Sequence, residues 1–297
     1  MRKKRILISG SNGLVGNYFC RLSALSKYQV YTLFHSEPAN FGNSISVDLS
    51  DSHGVFKQVL NEVEPDIVVH LAAITNVDQC EIYRRVADQV NHQSVKELAN
   101  YLVRSKNCFV LYVSTDYVFD GKKGDYMEPD DTNPVNWYGM TKLLGEKELL
   151  HCNSESWCIV RTSTPFGVHA RKLSFPSYVV KNLSQGREIN VLTDQITSPT
   201  YALNLAEMIY EVIDNRVKGI VHLSGRSKIS RFNQALEIAS AYDLDKSLIK
   251  PANLNEMRWQ ARRPMNSSLN ITKSYNILKE KPMEFRESLL LFAQELK

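Results

Sequence analysis

The stretch Arg5-Ile6-Leu7-Ile8-Ser9-Gly10-Ser11-Asn12-Gly13-Leu14-Val15-Gly16 decides the fold of this chain. A short apolar run, Arg5–Ser9, enters three glycines spaced three apart, and a helical pattern begins at once. Val15, Tyr18, Phe19 and Leu22 keep the i, i+3, i+4, i+7 spacing of one buried helix face. Strand, glycine turn and helix in this order form a cradle for a pyrophosphate. Gly10 permits the tight turn, Gly13 lets backbone N–H groups approach, and Gly16 lets the helix pack close to the strand. The helix N-terminus adds unpaired donors and a partial positive charge. Gly10, Ser11, Asn12, Gly13, Leu14, Val15 and Gly16 are therefore expected to hold a dinucleotide cofactor.

Outward from this stretch, β-rich runs alternate with amphipathic ones, as in a parallel sheet with crossover helices. Strands are predicted at Gln29–Phe34, Ile67–Leu71, Phe109–Ser114 and Cys158–Arg161. They are nearly continuous apolar runs, as strands covered on both faces are. Helices are predicted over Val86–Arg104 and Tyr138–His151. After about Phe166 the rhythm changes: helical segments near Phe175–Gln185, Ala202–Asp214, Arg231–Ala241 and Phe285–Glu295 alternate with short strands at Asn190–Leu192 and Ile220–Leu223. The expected fold class is α/β, a Rossmann-like doubly wound parallel sheet with a smaller C-terminal α+β substrate lobe. Residues 1–166 would form the dinucleotide-binding domain and 167–297 the substrate lobe, some of whose segments return to the first domain.

Composition narrows the function classes. The 297 residues are 43% hydrophobic and 23% charged, which excludes a disordered chain. No apolar run approaches the roughly 18 residues of a membrane span. The basic start Met1–Arg5 leads into an apolar stretch too short for an export signal, so a strand is expected there. The five cysteines, Cys20, Cys80, Cys108, Cys152 and Cys158, never form C-x-x-C; neither a disulfide framework nor a metal site is expected, and a reducing cytoplasm fits. The net charge of +4 is interspersed, so neither nucleic acid nor membrane is an expected partner.

Cofactor choice is made at the end of the second strand, where an acidic residue would bond a ribose 2′-hydroxyl. The sequence there reads Leu33-Phe34-His35-Ser36, with Glu37 the nearest carboxylate. A 2′-phosphate would meet donors in His35 and Ser36, so NADP(H) is preferred and NAD(H) is compatible.

Tyr138-Gly139-Met140-Thr141-Lys142 sets a phenol and an ammonium on one helix face. Reduction of a ketone needs an acid for the alkoxide, and a tyrosine beside a cation can supply it. Lys142 would also bond the nicotinamide ribose. The end of the strand Phe109–Ser114 offers Ser114 and Thr115 as the hydroxyl that polarises the carbonyl.

Together the G-x-x-G-x-x-G loop, Leu71-Ala72-Ala73 after a buried strand and the Tyr138/Lys142 pair resemble the extended short-chain dehydrogenase/reductases. Within them, Val113-Ser114-Thr115-Asp116-Tyr117-Val118-Phe119-Asp120-Gly121 looks like the signature of the dTDP-4-dehydrorhamnose reductases. Ala73-Ile74-Thr75-Asn76-Val77-Asp78, Arg161-Thr162-Ser163, Asp194-Gln195 with Pro199-Thr200, and Arg263-Pro264 with Ser267 and Leu269 agree with it. The resemblance covers nearly the whole chain. It implies a catalytic trio of Thr115, Tyr138 and Lys142, and cofactor contacts from Leu71, Ala72, Ala73, Asp48 and Leu49. Asp48 reads equally as a cap for a helix over Val55–Val63, with Asp51 and Ser52 nearby. The resemblance also implies a sugar site including Thr75, Val77, Asp116, Tyr117, Thr164 and Arg263, and lining by Gln195, Ser198 and Thr200. Arg262 and Arg263 read equally as surface charge or as partners of a substrate diphosphate.

Two departures stand out. The family commonly has Trp after Arg-Thr-Ser, where this chain has Thr164, and the glutamate that helps a metal-bridged dimer is Tyr18 here. No metal is expected; a homodimer stays compatible. Sugar-nucleotide 4,6-dehydratases carry Asp-Glu after the threonine, whereas Asp116-Tyr117 lacks the second carboxylate. The expected activity is reduction of a 4-keto group on a nucleotide-activated deoxysugar, for cell-surface polysaccharide precursors. The alternatives are a non-catalytic subunit like the regulatory one of methionine adenosyltransferase, and a nucleotide-sugar epimerase. His70 is expected to be a packed core histidine.

Overall fold

The computed structural model describes residues 2–51, 54–105, 107–169 and 173–296, apart from the side chains of Ser23 and Ala24. Ser52 and part of the loop Val168–Ser174 lie outside the described residues.

Seven parallel strands form the central sheet: β1 Arg5–Ser9, β2 Gln29–Phe34, β3 Asn43–Ser46, β4 Ile67–His70, β5 Phe109–Thr115, β6 Trp157–Thr162 and β7 Gly219–His222. Their order is β7-β6-β5-β4-β1-β2-β3. The chain starts in the middle, winds outward to β3, then returns across β1 to β4. That reversal opens a crevice at the carboxyl ends of β1 and β4, where doubly wound sheets bind ligands.

Both faces of the sheet are covered, so alternate residues of one strand enter different cores. Ile6 and Ile8 pack with Phe19, Leu205 and Ile209 on one side. Leu7 packs with Leu60, Leu98 and Leu102 on the other. All are buried, and each such side chain contributes roughly 1.5–3 kcal/mol over remaining in water. The helix Ala202–Asp214 and strand β7 come from the second half of the chain yet complete this sheet.

A third core, with Val179, Leu183, Ile238, Phe285 and Phe292, belongs to the smaller lobe. There Ile249–Ala252 pairs in parallel with Ile189–Leu192, and Ile229–Ser230 runs antiparallel to Ile196–Thr197. Among the described residues no helix is long and apolar enough to cross a membrane.

Two expected helices differ in form. The first ends at Cys20, before Leu22, though Leu22 still packs on the core. The helix expected over Val86–Arg104 begins at Arg84 and passes through a π-turn at Gln89–Gln93 before Ser94–Arg104. That turn points Asn91 inward, fully buried: its Oδ1 accepts from the Ile74 N–H (2.8 Å) and its Nδ2 donates to Thr141 Oγ1 (3.1 Å). Single π-turns inside α-helices frequently lie at functional sites. Asn91 thereby ties the loop after β4 to the helix Trp137–His151.

Candidate active site

A cavity of about 830 Å³ lies over the carboxyl ends of the strands, lined from both lobes. At its floor the glycine loop closes a turn through Gly13 N–H to the Gly10 carbonyl (2.9 Å). Gly10 has φ +68, and a Cβ there would sit 2.6 Å from the Ala72 nitrogen. A Cβ on Gly16 would sit 2.1 Å from the Gly10 carbonyl oxygen. Only glycine brings the loop after β1 against the loop after β4. Leu71, Ala72 and Ala73 wall the cavity at that contact, together with Asn12, Gly13, Leu14 and Val15. Ser11 is the exception: it is buried with its hydroxyl on the Leu33 carbonyl (3.0 Å), off the cavity wall. Asn12 Nδ2 donates to the Glu37 carbonyl (2.6 Å), pinning the loop to the segment after β2. This main-chain cradle fits a dinucleotide diphosphate.

Farther along, His35, Ser36, Asp48 and Leu49 line the cavity. Asp48 does not cap the following helix, whose N-cap is Gly54 without a side-chain bond. Its carboxylate accepts from the Ser50 N–H (2.8 Å) and hydroxyl (2.6 Å) and lies 3.5 Å from His35 Nε2. Those Ser50 bonds, with His35 adding to them, hold the carboxyl below its usual range.

β5 delivers Thr115, and the helix Trp137–His151 delivers Tyr138 and Lys142 to the same cavity. Asn136 caps that helix through Gly139 N–H (2.8 Å), fixing its entry. The Tyr138 phenol shares the cavity wall with Thr115, and burial pushes its pKa up against the opposing pull of the Thr115 side chain. It is therefore protonated at neutral pH, as an acid must be. Lys142 is only 2% exposed, with its ammonium 4.1 Å from the centre of the Tyr112 ring. Burial lowers its pKa to about 7, against an opposing pull from the carboxylate of Glu146.

Glu146, one turn farther, is fully buried. It accepts from Arg161 Nη2 (2.7 Å) and Nε (3.0 Å) and from the Ser114 hydroxyl (2.5 Å). Ser114 also lines the cavity, but its hydroxyl is given to Glu146, which leaves Thr115 as the candidate hydroxyl to act with the phenol. His70 is the packed histidine expected, fully buried between Ser9 Oγ (2.8 Å) and Ser94 Oγ (3.1 Å). Burial lowers its pKa to about 3, so it stays neutral.

On the substrate side Thr75, Val77, Asp116, Tyr117 and Thr164 line the cavity. Asp116 is 2% exposed and already accepts from Thr115 (3.1 Å), Ser163 (2.8 Å) and Ser267 (2.5 Å) hydroxyls. Its carboxylate ties β5, β6 and the C-terminal segment together, and burial raises its pKa against those bonds. Tyr117 stands edge-on to Tyr138, ring centres 5.9 Å apart, and its hydroxyl accepts from Gln195 Nε2 (3.4 Å). Burial, with Asp116 adjacent, pushes the Tyr117 phenol up to about 12. Thr164 takes φ +38, outside ordinary L-residue space, and bonds Thr197 Oγ1 (3.2 Å).

Arg263 lies off the wall. Its guanidinium holds Asp78 Oδ2 (2.7 Å) and the Ala261 carbonyl (2.8 Å), 4.8 Å from the centre of the Trp259 ring. Gln195, Ser198 and Thr200 stand behind the wall: Ser198 accepts from Leu269 N–H (3.1 Å), and Thr200 donates to the Ser163 carbonyl (2.7 Å).

Sequence reasoning missed Arg231, Gln234, Phe175 and His169, all on the wall. One signal was available for Arg231: a cation follows the helix-capping Ser230, at the end where the helix dipole disfavours it. Among the described residues no group of three or more His, Cys, Asp or Glu could hold a metal ion.

The family model described as RmlD substrate binding domain matches residues 4–297. A dTDP-4-dehydrorhamnose reductase of Aggregatibacter actinomycetemcomitans is 31% identical over 299 residues, covering 96% of this chain and 97% of that protein. The methionine adenosyltransferase 2 subunit beta of Danio rerio is 27% identical over 278 residues, covering 91% and 84%. The crystal structure of dTDP-4-dehydrorhamnose reductase from Bacillus anthracis in complex with NADP superposes with a TM-score of 0.87 at 29% identity, covering 99% of this chain and 100% of that one.

Proposed function

Since this chain belongs to the RmlD substrate binding domain family, we propose that it reduces the 4-keto group of a nucleotide-activated deoxysugar, as its dTDP-4-dehydrorhamnose reductase relatives are named for doing. It is an NAD(P)-dependent oxidoreductase, with NADP(H) preferred and NAD(H) compatible. The observation that carries this reading is that Thr115, Tyr138 and Lys142 line one cavity with the glycine loop.

When bound, the nicotinamide supplies the hydride. The main chain from Gly10 to Gly16 would hold the cofactor diphosphate, and His35 and Ser36 would meet its adenosine end. Thr115, once its hydroxyl turns from Asp116 to the substrate, would hold the keto oxygen in place near the phenol, and Tyr138 gives that oxygen its proton. The Lys142 ammonium then stabilises the phenolate left behind.

The regulatory-subunit reading draws on the methionine adenosyltransferase relative, but a complete Thr115/Tyr138/Lys142 set favours catalysis. The proposed setting is the cytoplasm, where the five cysteines, all free, stay reduced. A homodimer is compatible with this reading, and sedimentation measures it. The test is NADPH oxidation, then NADH, with dTDP-4-keto-6-deoxy sugars generated in situ. Tyr138→Phe is expected to lose about 10²- to 10⁴-fold in kcat. Tight dinucleotide binding without turnover of any keto-sugar would transfer the assignment to the regulatory subunit.

A further inference from the structure

Arg231 opens the helix Arg231–Ala241 on the wall of the cavity. Its main-chain N–H donates to the Gln195 carbonyl (2.9 Å), which seats the helix end behind Tyr117. The guanidinium lies 4.9 Å from the centre of the Phe175 ring, and Nη1 donates a long bond (3.3 Å) to Gln234 Oε1. Phe175 and Gln234 line the same cavity. Among the described residues no carboxylate pairs with Arg231. The buried acid that it senses, Asp116, gives its oxygens to Thr115, Ser163 and Ser267.

Neither an ion pair nor the helix accounts for this cation, since the positive end of the helix dipole disfavours it. An anion in the cavity accounts for it, because the guanidinium then has a charge to hold and the helix dipole favours that charge instead of opposing the site. The glycine loop already serves one diphosphate at the other end of the cavity. Arg263, which the sequence offered for a second, is held by Asp78 and lies off the wall. We infer that Arg231 grips the diphosphate of the nucleotide-sugar substrate, its planar fork set on phosphate oxygens with Phe175 and Gln234 fixing its plane. The inference rests on the nucleotide-sugar reading above and names the side chain that selects for it.

The test needs no turnover. dTDP and UDP are titrated calorimetrically into the NADP⁺-saturated protein, with thymidine as the phosphate-free control. Arg231→Gln is expected to weaken diphosphate binding about 10- to 100-fold, with thymidine and NADP⁺ affinities unchanged. Arg231→Lys restores part of the loss, because it keeps the charge without the fork. Arg263→Gln moves dTDP affinity less than Arg231→Gln does. A dTDP affinity in Arg231→Gln within about twofold of wild type, the reverse ranking of the two arginines, or no binding of either nucleotide to wild type overturns the assignment. Loss of dTDP binding in Arg231→Gln, in a protein that turns over no keto-sugar, sinks the reductase reading and leaves the diphosphate grip standing.

Discussion

The two halves of the cavity are made of different material. The cofactor half is main chain: Gly10, Gly13 and Gly16 bring backbone against backbone, and a single added Cβ at Gly16 would meet the Gly10 oxygen at 2.1 Å. The substrate half is side chain. Asp116 on the wall is held by Ser163 and Ser267 behind it, Tyr117 by Gln195, and off the wall Arg263 reaches Asp78 across 185 positions of sequence. A cradle of backbone admits one shape and tolerates little change. A wall of side chains can be retuned residue by residue while the fold stays the same.

Beneath both halves lies the Glu146–Arg161 pair, and the largest effect is expected there. Glu146→Ala leaves the guanidinium buried without its carboxylate and should cost about 3–5 kcal/mol of stability, read by urea unfolding. A loss under about 1 kcal/mol would mean that the two halves do not share this foundation.

Next comes Gly16→Ala, which overpacks the cradle by about 1–3 kcal/mol and should weaken NADPH binding about 10- to 100-fold in fluorescence titration. Unchanged affinity would break the claim that the cofactor half is built of backbone.

The third effect is on pH. Lys142 loses its proton above about pH 7 in the free protein, so kcat/KM for reduction should fall about tenfold per unit above that value. Stability should move the opposite way. Between about 7 and its ordinary value of 10.5, the unfolded chain binds a proton that the folded chain has released, so Lys142's contribution rises with pH. Unfolding of wild type against Lys142→Met across that window measures it, and parallel trends in rate and stability would exclude Lys142 as their source.

The smallest effect is at the partly exposed Arg263–Asp78 pair. Arg263→Gln should cost about 1 kcal/mol or less and raise KM more than it lowers kcat. A loss in kcat alone would put Arg263 in the chemistry.

What could be read in advance follows the same division. The central strands and the glycine cradle were legible because each depends on local patterns: apolar runs of strand length, helical periodicity, glycines where a Cβ cannot fit. The strand order was not, nor was the return of Gly219–His222 to the sheet edge, because pairing between distant strands is chosen by the fold. Thr115, Tyr138 and Lys142 were legible through spacing on one helix and position at one strand end, and the cavity brings all three together. Arg231 and Gln234 were not, because nothing near them in sequence says that their helix begins at a wall shared with Tyr117. Asn91 was hidden by regular periodicity, which carries no mark of a π-turn. Arg263 was legible as a charge, but its partner Asp78 is chosen by the fold.

That π-turn at Gln89–Gln93 also has a consequence for length variation. A π-turn holds one residue more than the ring it replaces, so upstream and downstream segments are phased separately. Deleting one residue there would regularise the helix and leave Ser94–Arg104 seated on its core, while swinging Asn91 about 100° from Ile74 and Thr141. Homologues one residue shorter in this segment should therefore keep the fold and lack this brace between the loop and the catalytic helix.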